Sequence, residues 1–214
     1  MRRMPAASAL VVVVLACGAP AWAQERLGPI PADQMTEAQK QAAAAFEKDR
    51  GRPPYAFWLG YLRIPEIVVP FLEIQAHVHG VMETEKGALG EKLTQLAILL
   101  AARHWSSEVI WSLHDQHALK SGITPEVMAA VAAGRRPEKM SDDEALLYDF
   151  TIELQQNQSI SDATYARMLA RFGERGIAEA TLIQGEYSTM AMFINVARTP
   201  LGPGAQHPLR RFPQ

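Results

Sequence analysis

Apolar residues recur every three or four positions along most of this 214-residue chain. That spacing places them on one face of an α-helix. Alternating apolar and polar runs rich in β-branched residues, which would indicate strands, are nearly absent. The pattern therefore predicts an all-α fold, with helices over residues 36–49, 55–62, 65–79, 91–102, 108–121, 124–134, 141–156, 161–172 and 177–196.

Local signals support several of these helix ends. Thr36 is followed three residues later by Gln39, which is the capping-box arrangement. Pro65 falls in the first turn of its helix, where proline is tolerated. Gly122 follows the helix over 108–121 and predicts its end.

The first 23 residues are typical of an export signal rather than of a folded domain. Arg2 and Arg3 precede the apolar run 9–16, and Ala21-Trp22-Ala23 offers small residues at the two positions that a signal peptidase reads. The run is shorter than the roughly 20 residues that span a bilayer. We expect a cleaved signal and a periplasmic or secreted protein. Lipidation of Cys17 is the alternative, although the residues before it fit a lipoprotein box poorly.

The remaining chain predicts one domain with short flanking segments. Residues 24–42 form an extended lead-in and the start of the first helix, 43–198 the domain, and 199–214 a proline-rich tail. Cleavage would remove Cys17, the single cysteine, and with it any disulfide or thiol chemistry. A formal net charge of −2 gives no basic excess, so no nucleic-acid partner is expected.

Residues 103–122 hold three of the six histidines and two of the four tryptophans. If this segment were one continuous helix, about 100° of rotation per residue would align a polar stripe with His114 on its flank. That stripe comprises His104, Glu108, Trp111, Asp115, Ala118 and Gly122. The pattern predicts a polar, aromatic-walled cleft. The alternative is ordinary amphipathic packing, with the carboxylates on a solvated face.

Several motifs follow one another through this segment and beyond it: Ala102-Arg103-His104-Trp105, Trp111-x-x-His114-x-x-x-Ala118-x-x-x-Gly122, Gly134-Arg135-Arg136-Pro137 and Gly185-Glu186-Tyr187-Ser188. Together they resemble the carboxymuconolactone decarboxylase family, which shares its fold with the alkyl hydroperoxidase D-like proteins. The resemblance implies a helical bundle built around a helical hairpin, assembled as a trimer or hexamer. It also implies that His114 is an acid/base or substrate-binding group.

The chain departs from the peroxidase branch of that resemblance. The two cysteines of that branch would fall at Ser107 and Ile110, and its relay carboxylate would fall at Gln95. A thiolate attacks the peroxide in such enzymes, and neither serine nor isoleucine replaces it. No cysteine-dependent peroxidase activity is therefore expected, and no cofactor is implied.

Decarboxylation, or related chemistry on a lactone or β-keto acid, does not need those cysteines. His114, with an ordinary pKa near 6.5, is suited to protonate a developing carbanion. A polarising donor near the carbonyl would assist it. The full set of expected site residues is His114, His104 and Glu108 as catalytic groups, with Arg103, Trp105, Trp111 and Tyr187 binding the substrate.

Two alternatives to this chemistry remain open. His114 and His117 could bind a metal with Glu108 or Asp115, but side chains three apart diverge by about 60°, so no metal is predicted. The second alternative is a catalytically silent, secreted, small-ligand-binding helical oligomer. Both main hypotheses expect a small-molecule partner and no membrane association beyond export.

Overall fold

The computed structural model describes residues 25–83, 87–202, 205 and 209. Within these residues the chain is all-helical, without strands, as the apolar spacing predicts. The expected export signal, residues 1–23, lies outside the described residues, as does most of the expected tail, 199–214. No helix of the described chain is both long enough and apolar enough to cross a membrane.

Eight α-helices follow one another along the described chain. They are α1 Glu37–Arg50, α2 Trp58–Tyr61, α3 Val68–Glu83, α4 Gly90–His104, α5 Glu108–Lys120, α6 Pro125–Ala132, α7 Asp142–Asn157 and α8 Asp162–Ala197. A 3-10 turn at Pro65–Ile67 leads into α3, so Pro65 stands just before the α-helix rather than within its first turn.

The helix ends follow local capping chemistry. The Thr36 hydroxyl accepts a hydrogen bond from the Gln39 N–H, and the Gln39 side chain accepts one from the Thr36 N–H, which confirms the capping box. Ser141 and Glu144 form the same arrangement at the start of α7. Gly51, with φ +67°, ends α1 in the left-handed conformation that glycine adopts without strain.

Helix α4 occupies the centre of the fold. It packs against α3, α5, α6, α7 and α8. Its residues from Leu96 to Ala102 are all at most 3% exposed. A helix surrounded on all sides can be apolar around most of its circumference, which explains why the segment 91–102 carries so few charges.

Helix α8 joins two segments that the sequence predicts as separate helices. Gly173, with φ +67° and ψ −179°, interrupts the helical backbone between them. A positive φ at this point is accessible to glycine at little steric penalty. The chain therefore bends here and then continues to Ala197 as the segment that carries Glu186 and Tyr187.

The continuous stripe from His104 to Gly122 does not form. Residues Trp105 to Ser107 separate α4 from α5, and Ser106 has φ +49°. Helices α4 and α5 instead pack against each other across this short turn. His104 and Glu108 therefore belong to two different helices, and the rotation of a single helix cannot align them.

Candidate functional site

A cavity of about 340 Å³ opens among α1, α3, α4, α5 and α8. Its volume is in the range of small-molecule sites in proteins. The polar side chains that line it come from distant parts of the chain: Arg50, Arg52, Tyr55, Gln75, His79, Glu91, Gln95, His114, His117 and Tyr187.

His114 is held in this cavity by Gln95, a buried residue of α4. The distance between His114 Nδ1 and Gln95 Oε1 is 3.0 Å. An amide oxygen only accepts hydrogen bonds, so the proton of the neutral imidazole is on Nδ1, and Nε2 keeps its lone pair. The Tyr187 ring meets the imidazole edge to face, with 5.2 Å between ring centroids.

The surroundings of His114 oppose its protonation. Burial, together with the nearby charges of His79 and His117, lowers the pKa of His114 to about 3. The ring is therefore neutral at pH 7. The expectation from sequence, which used the ordinary pKa, made His114 a proton donor, whereas its lowered pKa favours the neutral, proton-accepting form.

The cavity carries an excess of cationic side chains. Arg50 Nη2 donates to Gln75 Oε1 at 3.2 Å, and Arg50 Nε lies 2.9 Å from the carboxylate of Asp49. The guanidinium of Arg52 stacks over the Tyr55 ring at 3.7 Å. Glu91 is the acidic residue among the lining side chains. This charge balance favours an anionic ligand.

Sequence reasoning missed Arg50, Arg52, Gln75 and His79. It treated residues 50–54 as a helix break, although two arginines flanking Gly51 at a helix end were a usable signal. His77 and His79 are two residues apart on α3, a spacing that directs side chains to nearly opposite faces of a helix. His77 is accordingly exposed and outside the cavity, while His79 lines it.

Arg103 and His104 lie in a different cleft. This second cleft, of about 170 Å³, is formed by α4, α7 and the segment after α6, and Tyr148 and Gln155 also line it. His104 is nine residues from Gln95, which is about two and a half turns of a helix, so the two residues occupy opposite faces of α4. Burial lowers the pKa of both Arg103 and His104. The structure therefore does not bring these two residues together with His114.

The two tryptophans and Glu108 also lie outside the cavity lining. Trp111 is buried in the core, and Trp105 is half-buried with its ring against that of His104. Glu108 is half-buried in the first turn of α5, where a carboxylate stabilises the positive end of the helix dipole. Tyr187, by contrast, does line the cavity beside His114.

Ser107 and Ile110, where the motif resemblance would place two cysteines, differ in their surroundings. Ser107 is buried at the start of α5, whereas Ile110 lines the cavity with an apolar side chain.

Among residues 25–83, 87–202, 205 and 209, no group of three or more His, Cys, Asp or Glu side chains is placed to hold a metal ion. The rings of His114 and His117 are 6.4 Å apart.

No protein-family model matches this chain, and no curated protein is significantly similar to it. The resemblance of its motifs to the carboxymuconolactone decarboxylase family therefore remains a prediction from the sequence.

Proposed function

We propose that this protein binds a small carboxylic acid in the His114 cavity and acts on its carbonyl or lactone group by acid/base chemistry. The observation that carries this proposal is the 3.0 Å contact between His114 Nδ1 and Gln95 Oε1 within a cation-lined cavity. The contact orients the imidazole and leaves Nε2 as a base.

Arg50 and Arg52 are the groups that would hold the substrate carboxylate. A guanidinium binds a carboxylate through two parallel hydrogen bonds, and Gln75 already fixes the position of Arg50. This assignment replaces Arg103, which faces the other cleft. A β-keto acid or a small cyclic carboxylic acid fits a cavity of about 340 Å³.

The reaction would then proceed by proton movement through His114. Nε2 accepts a proton from the carbon next to the carbonyl, or from a water that attacks a lactone. The imidazolium then gives that proton to another carbon of the enolate, which isomerises the substrate, or to the alkoxide oxygen that leaves when the acyl C–O bond of the lactone breaks. The negative charge of the bound carboxylate offsets the charges of His79 and His117, and so raises the pKa of His114 when substrate is present. Burial raises the pKa of Tyr187, whose hydroxyl therefore remains a donor that can polarise a carbonyl oxygen.

We also propose that the chain is an exported, homo-oligomeric member of the carboxymuconolactone decarboxylase family with an alkyl hydroperoxidase D-like fold. Its motifs and the close packing of α4 and α5 support this assignment. Ser107 and Ile110 argue against thiol-dependent peroxide reduction. Dithiol-dependent peroxide consumption by the mature protein would contradict that part of the proposal.

The test is turnover of a panel of β-keto acids and lactones by the wild type and His114→Gln. Glutamine keeps a hydrogen-bonding side chain but cannot carry the proton, so we expect kcat to fall by about 100-fold or more. His77→Gln is the matched control, since His77 is exposed outside the cavity and its loss should leave kcat unchanged. Full activity of His114→Gln, with unchanged helical circular dichroism, would overturn the proposal.

A second candidate function is ligand binding without catalysis. The observation that favours it is the neutral amide partner of His114, because a carboxylate there would support an imidazolium during turnover. Tight binding of a carboxylic acid such as benzoate, with no turnover across the panel, would select this candidate.

A further inference from the structure

Glu186 is a buried carboxyl group that the proposed reaction does not use. Its side chain, on α8 directly before Tyr187, is 4% exposed. Neither of its carboxylate oxygens accepts a hydrogen bond of ordinary geometry from a residue that the structure describes. A buried charge without such partners is unfavourable, so the environment favours the protonated form.

Gln75 connects this carboxyl group to the cavity wall. Its Oε1 accepts from Arg50 Nη2 at 3.2 Å, while its Nε2 points to Met190 Sδ at 3.4 Å. A thioether is a weak acceptor, whereas an ionised carboxylate is a strong one. Gln75 lies close enough to Glu186 to favour its ionised form, as does the charge of Arg50. The Gln75 amide has two N–H donors, so ionised Glu186 can attract one of them while the other stays directed at Met190.

The polar and titratable groups around Glu186 come from three other helices and from its own. Arg50 on α1 is the cation whose charge acts on Glu186, and Gln75 on α3 is neutral. Burial, and to a smaller extent the charge of Glu186, raises the pKa values of Tyr61 on α2 and Tyr187 on α8, so both hydroxyls stay neutral. The Tyr61 hydroxyl is also buried without a hydrogen-bond partner among the described residues.

We propose that Glu186 is a positioning residue that links anion binding in the His114 cavity to uptake of one proton. Ionised Glu186 attracts Arg50 and the Gln75 amide, and so weakens the hold of Arg50 on a ligand carboxylate. Protonated Glu186 removes that competition, so a ligand carboxylate then competes for Arg50 only with Gln75 and the exposed carboxylate of Asp49. The inference rests on the proposed function, because it requires that the cavity bind an anion.

This linkage operates near neutral pH. Burial raises the pKa of Glu186 to about 7, against the opposing effects of Gln75 and Arg50. The side chains of His79, His114 and His117 also line the cavity and lie near any anion bound there. A pH profile of the wild type alone therefore cannot separate Glu186 from the histidines. A comparison of variants at one pH does.

The experiment measures the affinity of the full-length mature protein for benzoate by calorimetry at about pH 6 and about pH 8. Glu186→Gln imitates the protonated carboxyl group at both pH values. We expect the two proteins to bind alike at the lower pH, and the variant to bind about tenfold more tightly at the higher pH. In buffers of different ionisation enthalpy near pH 7, the wild type should take up more protons on binding than the variant.

Glu179→Gln is the matched control, because Glu179 is a buried carboxylate of the same helix that instead bonds Arg175 and the Ala88 N–H. It should follow the wild type at both pH values. Equal affinities of wild type and Glu186→Gln at the higher pH, or equal proton uptake, would overturn this inference while leaving the anion site intact. Absence of benzoate binding by every protein at both pH values would overturn the anion site itself, and the linkage with it.

Discussion

The imidazole of His114 donates from Nδ1 to Oε1 of Gln95 across 3.0 Å, which joins α5 to the central helix α4. Gln95 is the residue found where the motif resemblance places a relay carboxylate. Gln95 is therefore in contact with His114, but its amide carries no charge. An amide orients the ring as a carboxylate would, but it does not stabilise the protonated form.

Restoring that charge should change how His114 titrates. In Gln95→Glu, the new carboxylate favours the imidazolium, so we expect the pKa of His114 to rise by about 1 to 3 units. Nuclear magnetic resonance of the labelled imidazole during a pH titration measures it directly. Gln116→Glu, at an exposed position of α5, is the control and should shift it far less. An unchanged pKa in Gln95→Glu would show that the contact does not persist in solution.

The lowered pKa of His114 also predicts how stability depends on pH. Unfolded His114 takes up a proton near pH 6.5, whereas folded His114 does so only near pH 3. Between these values the unfolded state binds more protons, so the free energy of unfolding decreases as pH falls from about 6.5 towards 3. His114→Gln should lose about 3 kcal/mol less between pH 7 and pH 4 in urea titrations. Parallel losses in both proteins would contradict this.

Glu186 predicts the opposite dependence. Its pKa is about 7 when folded and about 4.5 when unfolded, so the folded state binds more protons between these values. Its contribution to stability is present below about pH 4.5 and is lost as pH rises through about 7. We expect Glu186→Gln to be about 1 to 3 kcal/mol more stable than the wild type at pH 8. Urea unfolding at pH 8 and pH 5 measures this, and a variant less stable at pH 8 would contradict it.

A close helix contact gives a test of the fold. A Cβ added to Gly60 on α2 would lie 2.5 Å from the Phe193 ring on α8. Gly60→Ala should therefore lower stability by about 1 to 3 kcal/mol, visible as a lower Tm. Gly185→Ala is the matched control, since nothing lies within 4 Å of its added Cβ. That variant should be neutral or stabilised, because alanine favours a helix. Equal Tm values for the two variants would contradict this packing.

Local chemistry accounts for what could be predicted of the fold. The Thr36 and Ser141 caps and the Gly122 stop are short-range signals, and the observed helices begin and end beside them. The turn at Ser106 carries no such signal, because a serine with positive φ gives no warning that a glycine would give. Without that turn, the sequence placed His104 beside His114.

The cation lining of the cavity could not be predicted in the same way. Arg50 and Gln75 meet because α1 packs against α3, and how two helices pack depends on their side chains rather than on spacing along the chain. Tyr187 could be proposed from its motif, but its contact with His114 depends on how α8 lies against α5.

The enclosure of α4 has a consequence for the motions of the protein. Because five other helices pack around it, its backbone amides reach solvent only when much of the core opens. Hydrogen exchange in α4 should therefore report the global unfolding equilibrium. Helix α4 also forms a wall of both clefts, so we expect any change in their shape to come from their outer walls, from α1 and α3 on one side and α7 on the other.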